Sequence, residues 1–260
     1  MSRQAYYQHQ QRQQRGLGQA EAILNRVRAI RQRHPRLGCR KVLRRLQPWL
    51  AQQGYQIGRD RLFELLRAHD LLIRPKRRRP RTTWAGHWRC ENLLVEATLT
   101  GPNQAYVSDI TYLDTEHGFA YLTLITDAYS RFIVGHHVSD SLATDGSLLA
   151  LEQALGQRSV EVGPLIHHSD RGVQFTDQRY RDRLHQAGGC SSMGAKGDCY
   201  DNALAERMNG IIKLEYGLDG CFRDLDQVRR AVRESVWLYN HERPHLALNY
   251  RTPAEFHHLC

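Results

Sequence analysis

Long apolar runs are missing from this sequence. No stretch of its 260 residues approaches the ~20 consecutive hydrophobic positions that a membrane-spanning helix requires. The opening "MSRQAYYQHQQRQQRG" lacks the apolar segment of a secretory signal. Both absences lead to the expectation of a cytosolic protein with no membrane partner. Cysteine is sparse and scattered: Cys39, Cys90, Cys190, Cys199, Cys221 and Cys260 include no C-x-x-C pair. That argues against a disulfide framework and a structural zinc site, and leads to the expectation of free, mostly buried thiols. No heptad array announces a coiled coil. What remains is ordinary globular composition, 41% hydrophobic and 25% charged, in a chain long enough for one large or two modest domains.

Acid is what the first third lacks most. Residues 1–90 hold 22 Lys and Arg against 4 Asp and Glu, a net +18, while residues 91–260 hold 15 against 23, a net −8. A polycationic arm on a mildly acidic body suggests a polyanionic partner, most often nucleic acid.

Residues 1–18 are rich in Gln and Arg and lack periodicity, so they read as a flexible lead or an incomplete helix. Residues 19–73 form three helical segments. In the first, Ile23, Val27 and Ile30 recur at helical spacing until Pro35 and Gly38 stop it. The second carries Val42, Leu43 and Leu46, with Pro48 starting a new turn or kinking it. The third, after the turn "GYQIG", turns Leu62, Leu65, Leu66 and Leu72 inward. This outline fits a helix-turn-helix, whose last helix presents its N-terminus to the major groove. Arg59 and Arg61 would then reach bases or phosphates. Residues 74–100, with the run "RPKRRRPRTTW", read as a basic linker able to follow a phosphate backbone or simply to be solvated.

From residue 101 onward the pattern changes. "QAYVSDITYLDT", "HGFAYLTLITDAYS" and "RFIVGHHVSD" read as an antiparallel meander with turns at Glu116–Gly118 and Tyr129–Ser130. "DGSLLALEQALGQ" is helical, and the strand "GPLIHHSD" follows it, which suggests a parallel crossover. A helix, the short strand "CSSM" and two further helices complete a mixed α/β sheet. Asp201 or Asn202 suits the N-cap of the first of those two helices.

Three acids stand out. Asp109 lies in the middle of a strand, where a carboxylate is costly unless paired or metal-bound. Asp170 ends a strand at Arg171-Gly172, where it either caps a turn or grips an ion. Glu206 sits in the first turns of a late helix. A right-handed crossover makes the first and fourth strands neighbours, so the three acids can converge. Such a cluster suits Mg²⁺ or Mn²⁺, and two ions roughly 3.5–4 Å apart can clamp the attacking and leaving oxygens of phosphoryl transfer. His167 and His168 are expected to pack or support the acids, the pairs His136-His137 and His257-His258 to be ordinary, and Asp114 and Asp127 to serve turns. Gly194 to Gly197 either cradle phosphate or belong to a loop over the site.

The stretches "SDITYL", "HHSDRGVQF" and "SMGAKGDCYDNALAERMNGIIKLEY" resemble the retroviral-integrase-type core of insertion-sequence transposases, above all the second-frame product of the IS-three type. Thirty-five residues, positions 171 to 205, separate Asp170 from Glu206, and Lys213 follows Glu206 by seven. "YNHERPHLALNYRTPAEF" resembles that family's closing segment, and "RLGCRKVLRRL" its helix-turn-helix, which places Arg40 and Lys41 among the DNA-contacting residues. The resemblance implies an RNase H-like mixed sheet over residues 101–260, preceded by a small all-α domain. It implies that Asp109, Asp170 and Glu206 hold two divalent ions, that water cuts the 3′ end of the element, and that the freed 3′-OH attacks a second phosphodiester. It also implies element-end and target DNA as partners, a multimer in the DNA complex and a bacterial, nucleoid-associated setting. In the family, ribosomal frameshifting joins an upstream frame carrying a further helix-turn-helix and a coiled coil. That upstream product is therefore an expected partner. Seven residues are about two helical turns, so Lys213 shares a face with Glu206 and could hold backbone phosphate. Two alternatives are a nuclease of the same fold that cuts without joining, and a DNA-binding regulator with a silent core.

Overall fold

The computed structural model describes residues 3–73, 90–158, 163–194 and 203–258. The whole basic run at 74–84, positions 195–197 of the glycine-bearing loop, and Cys199 to Asn202 lie outside the described residues. The chain divides into two compact units, Met1–Lys76 and Arg77–Cys260.

The first unit is helical: α1 (Arg3–Arg33), α2 (Cys39–Gln53) and α3 (Arg59–Ala68). Ile23, Leu24, Val27 and Ile30 of α1 meet Val42, Leu46 and Leu50 of α2 and Leu62 and Leu66 of α3 in one core. Two expectations are corrected. The lead is helical from Arg3, because Gln and Arg are good helix formers and no proline interrupts them. Of the two readings of Pro48, the new turn is ruled out, because Pro48 lies inside one continuous helix. Gly54 stops α2 in the left-handed conformation (φ 66°), and Tyr55 N–H closes back on the Leu50 carbonyl at 2.9 Å.

The second unit is built on a mixed sheet in the order β3-β2-β1-β4-β5, with the short β6 beside β1. Strands β1 (Ala105–Thr115), β2 (Gly118–Asp127) and β3 (Ile133–Ser139) form the antiparallel meander. Helix α4 (Thr144–Gly156) crosses to β4 (Leu165–Ser169), which pairs parallel with β1. A single turn, α5 (Val173–Thr176), and α6 (Gln178–Gln186) lead to β5 (Gly189–Met193), parallel to β4. Then come α7 (Ala203–Glu215), β6 (Cys221–Phe222), α8 (Leu225–Glu242), a 3-10 turn at Leu246–Leu248 and α9 (Pro253–His257).

Alternation along the strands splits the core into two layers. Leu113, Ala120, Leu122 and Leu124 face Met208 and Ile212 of α7 and Val228, Val232 and Tyr239 of α8. Tyr106, Ile125 and Val134 face Ala150, Leu151 and Ala154 of α4 and Tyr180 and Leu184 of α6. At Gly135 α4 packs close against the sheet: a β-carbon there would run into the Ala150 carbonyl. The expectation of mostly buried thiols is corrected too. Among the described residues, the free Cys39 and Cys90 are half-buried and Cys190 and Cys221 exposed. Cys190 lies on the outermost strand of the sheet and Cys221 on a two-residue strand, so neither has a layer above it.

Candidate active site

The parallel pairing of β1 with β4 decides which acids meet. Ala105 to Ser108 pair in step with Ile166 to Ser169, and each strand continues directly into an aspartate, Asp109 on one and Asp170 on the other. Neighbouring strands lie about 4.8 Å apart, so Asp109, midway along β1, stands beside Asp170 where β4 ends. The alternation that buries Leu113 also points Asp109 toward α7. That helix packs Ala205, Met208, Asn209 and Ile212 inward, a spacing of three and four, and carries Glu206 in its first described turn.

Asp109 is half-buried, and its two oxygens are engaged by different donors. Ile110 N–H donates to Oδ1 at 2.8 Å, and the Asn209 side-chain amide donates to Oδ2 at 2.9 Å. Loss of solvent pushes the Asp109 carboxyl up to about 7 from 3.8. The Asp170 charge adds to the rise, the two hydrogen bonds oppose it, and the Glu206 charge contributes a further, smaller push. Asp109 therefore feels the charge of both other acids. Asp170 also answers the question of the strand end: its Oδ1 accepts from Gly172 N–H at 3.0 Å, so it does cap the turn. Capping does not disqualify it as a ligand, since a carboxylate offers about four lone-pair sites. A β-carbon at 172 would sit only 3.0 Å from that same oxygen, a tight contact that a side chain there would have to displace.

The neighbouring polar groups form the floor of the site. His167 is buried, with Nε2 at 2.9 Å from both the Ser108 and the Tyr180 hydroxyls. Burial, assisted by His168, takes its imidazole down to about 3 and keeps it neutral. His168 Nδ1 lies 2.9 Å from the Ser192 hydroxyl, which also accepts from Leu93 N–H. These bonds stitch β1, β4, β5 and α6 together beneath the two aspartates. Asp127 serves its turn: Asn103 N–H, Ser130 N–H and the Ser130 hydroxyl all donate to it at 2.6–2.7 Å.

The other expected residues fall in different places. The Lys213 ammonium donates to the Tyr112 main-chain carbonyl on β1. In the first unit Arg59 is ion-paired with Asp60 at 2.7 Å and Arg61 with Glu64 at 3.2 Å, all four side chains exposed. Exposed pairs of this kind contribute ~0–1 kcal/mol and exchange readily for other anions. Arg40 is exposed and Lys41 half-buried at the start of α2.

Asn209 was missed by sequence reasoning, although Glu206-x-x-Asn209 is the spacing of two residues on one helical face. The residue is 5% exposed, and its Oδ1 has no hydrogen-bond partner among the described residues. A stranded buried acceptor costs ~1–3 kcal/mol, which is unusual enough to need a reason. A buried clamp was missed as well. Arg243 gives two bonds, 2.7 and 2.8 Å, to the Glu215 carboxylate, tying the end of α8 to the end of α7.

Among the described residues, no group of three His, Cys, Asp or Glu side chains is already drawn close enough to cage a metal ion. The donor set is still the right kind for a hard divalent cation: three carboxylates, one of them with its proton affinity raised by burial and then by the charges of the other two.

Comparison with known proteins gives the context of this site. Residues 100–199 match an integrase core domain, and residues 190–253 match a second model of the integrase core. The insertion element IS600 uncharacterized 31 kDa protein of Shigella sonnei is 38% identical over 221 residues, covering 82% of this chain and 79% of that protein. The transposase for insertion sequence element IS629 of Shigella sonnei is 33% identical, covering 88% and 76%. The putative transposase for IS986/IS6110 of Mycobacterium tuberculosis is 44% identical over a shorter stretch, 55% of this chain and 53% of that one. Among solved structures, the simian T-cell lymphotropic virus intasome superposes with a TM-score of 0.51 at 20% identity, covering 82% of this chain and 70% of that one. That likeness shows the fold, an RNase H-like mixed sheet flanked by helices. The chain belongs to the insertion-sequence transposases that carry an integrase core domain.

Proposed function

We propose that this transposase cuts the 3′ ends of its insertion sequence and joins them to target DNA, using Asp109, Asp170 and Glu206 to hold two Mg²⁺ or Mn²⁺ ions. The observation that carries the reading is the in-step pairing of β1 and β4, which sets Asp109 beside Asp170 under the helix bearing Glu206. Divalent ions, when bound, would polarise the scissile phosphate and lower the pKa of water. The chain's own part is to bring three carboxylates to one point and to fix Asp109 with two hydrogen bonds. Burial first, and then the charges of Asp170 and Glu206, raise the proton affinity of Asp109, and a bound cation would offset that charge.

The remaining assignments follow from charge. Residues 19–73 would grip element-end DNA through Arg59, Arg61, Arg40 and Lys41, with phosphates replacing Asp60 and Glu64 as partners of the two arginines. Residues 74–100 would link them to the catalytic core, 101–260. Lys213, two turns from Glu206, would exchange the Tyr112 carbonyl for backbone phosphate. Two element ends must be brought together, so a multimer and the upstream-frame product are the expected partners, in a nucleoid setting.

The test is a strand-transfer assay with labelled element-end DNA and Mn²⁺, comparing the wild-type chain with Glu206→Gln. Joined products that vanish in the variant while DNA binding persists support the proposal. Cleavage without joining at every DNA end would point to a nuclease. Unchanged transposition by the variant would remove Glu206 from the site.

A further inference from the structure

Asn209 is part of the site in its own right. Two independent observations meet on this one side chain. Its Nδ2 donates to Asp109 Oδ2 at 2.9 Å, across a hundred residues of sequence, while Ile110 N–H holds Oδ1. Its Oδ1 is buried, with the residue only 5% exposed, and has no hydrogen-bond partner among the described residues. The amide cannot be turned round to cure this while Asp109 is ionised. A flipped amide would set its carbonyl oxygen against a carboxylate oxygen and lose the bond.

Resting on the metal-dependent reading above, we infer that Asn209 is a positioning residue for ion binding. Through Nδ2 it sets the rotamer of Asp109, and through Oδ1 it offers an acceptor to a water of a hydrated divalent cation. Magnesium gives up its water reluctantly and keeps several molecules when held by few carboxylates. Those waters are strong donors and require acceptors in the wall of the site. Glu206 and Asn209 stand three residues apart on α7, so one helix supplies both an anionic ligand and a neutral acceptor. Outer partners of this kind commonly govern metal affinity by 10–100-fold.

The test uses the full chain and reads ion affinity as well as activity. Mn²⁺ binding is followed by electron paramagnetic resonance or calorimetry in wild type, Asn209→Leu and Asp109→Asn, with thermal melting alongside. Leucine keeps the number and branching of the side-chain heavy atoms of asparagine, with somewhat greater bulk, and removes both polar atoms. The expected result is Mn²⁺ affinity weaker by about tenfold or more in Asn209→Leu, with a melting temperature at or above wild type. Strand transfer should fall at limiting Mn²⁺ and recover in part at saturating Mn²⁺. Wild-type Mn²⁺ affinity in a folded Asn209→Leu chain overturns the inference. Should leucine prevent folding, Asn209→Ser, smaller and unable to span to Asp109, carries the same expectation and the same refutation. Asp109→Asn separates the two levels of the account. If it abolishes Mn²⁺ binding while Asn209→Leu does not, only the role of Asn209 fails. If it binds Mn²⁺ like wild type, the metal-site reading itself fails.

Discussion

Replacing Asp109 with asparagine should stabilise the protein, and only at neutral and higher pH. The Asp109 carboxyl is pushed up to about 7 in the fold, against 3.8 for the ordinary group. A shift of about three units corresponds to ~4 kcal/mol at 1.36 kcal/mol per unit. Solvent reaching a half-buried group screens part of this, leaving on the order of 2 kcal/mol. The folded chain holds this proton more tightly than the unfolded one, so stability falls as pH rises from about 4 to about 7 and the whole cost is present above 7. Asparagine carries no charge at any pH and escapes it. A unit of this size gains roughly 2–4 °C per kcal/mol, so Asp109→Asn should melt about 4–8 °C above wild type at pH 8.5. At pH 4 the two should nearly coincide. Circular-dichroism melts in metal-free buffer across pH 4–9 make the comparison. A difference that does not grow with pH would refute the crowding of charge around Asp109.

Other expectations follow from single contacts. Glu215→Ala strands the Arg243 guanidinium, which is 2% exposed, and should cost ~3–5 kcal/mol in denaturant titration. The double change Glu215→Leu with Arg243→Met should recover most of that loss. Gly135→Ala drives a methyl group into the Ala150 carbonyl and should destabilise by ~1–3 kcal/mol, since backbone on both sides resists the shift; a neutral melt would contradict the close approach of α4. Arg59→Ala and Arg61→Ala should leave melting unchanged, because their ion pairs are exposed. Each should lower the salt dependence of element-end DNA binding by about one unit of slope in a filter or anisotropy assay.

The three acids were legible because the pattern around each is local: an aspartate among alternating apolar residues, an aspartate closing an apolar run, a glutamate opening an amphipathic helix. The neighbourhood of the strands that carry Asp109 and Asp170 was legible through one topological rule, the right-handed crossover that makes β4 the parallel neighbour of β1. The polar second layer was not. Asn209 reads as a solvent residue on a helix until β1 is known to lie against that face, and Arg243 joins Glu215 across 28 positions of intervening chain. Position 48 was misread because proline's cost to a helix was weighed without the core that Leu46 and Leu50 hold on either side of it. The N-terminal residues were misread for the opposite reason: a helix without an apolar stripe has propensity alone to announce it, and propensity is a weak signal. The short elements β6, α5 and α9 are too brief for periodicity to register. Only α9 left a trace, in the Thr252-Pro253-x-Glu255 capping box.

The most direct measurement is anomalous diffraction from crystals of the chain bound to element-end DNA and Mn²⁺. The account predicts manganese peaks within about 2.0–2.3 Å of oxygens from Asp109, Asp170 and Glu206 together. Manganese bound elsewhere on the DNA complex, with those three carboxylates turned away from it in crystals that still cut their DNA, would contradict it.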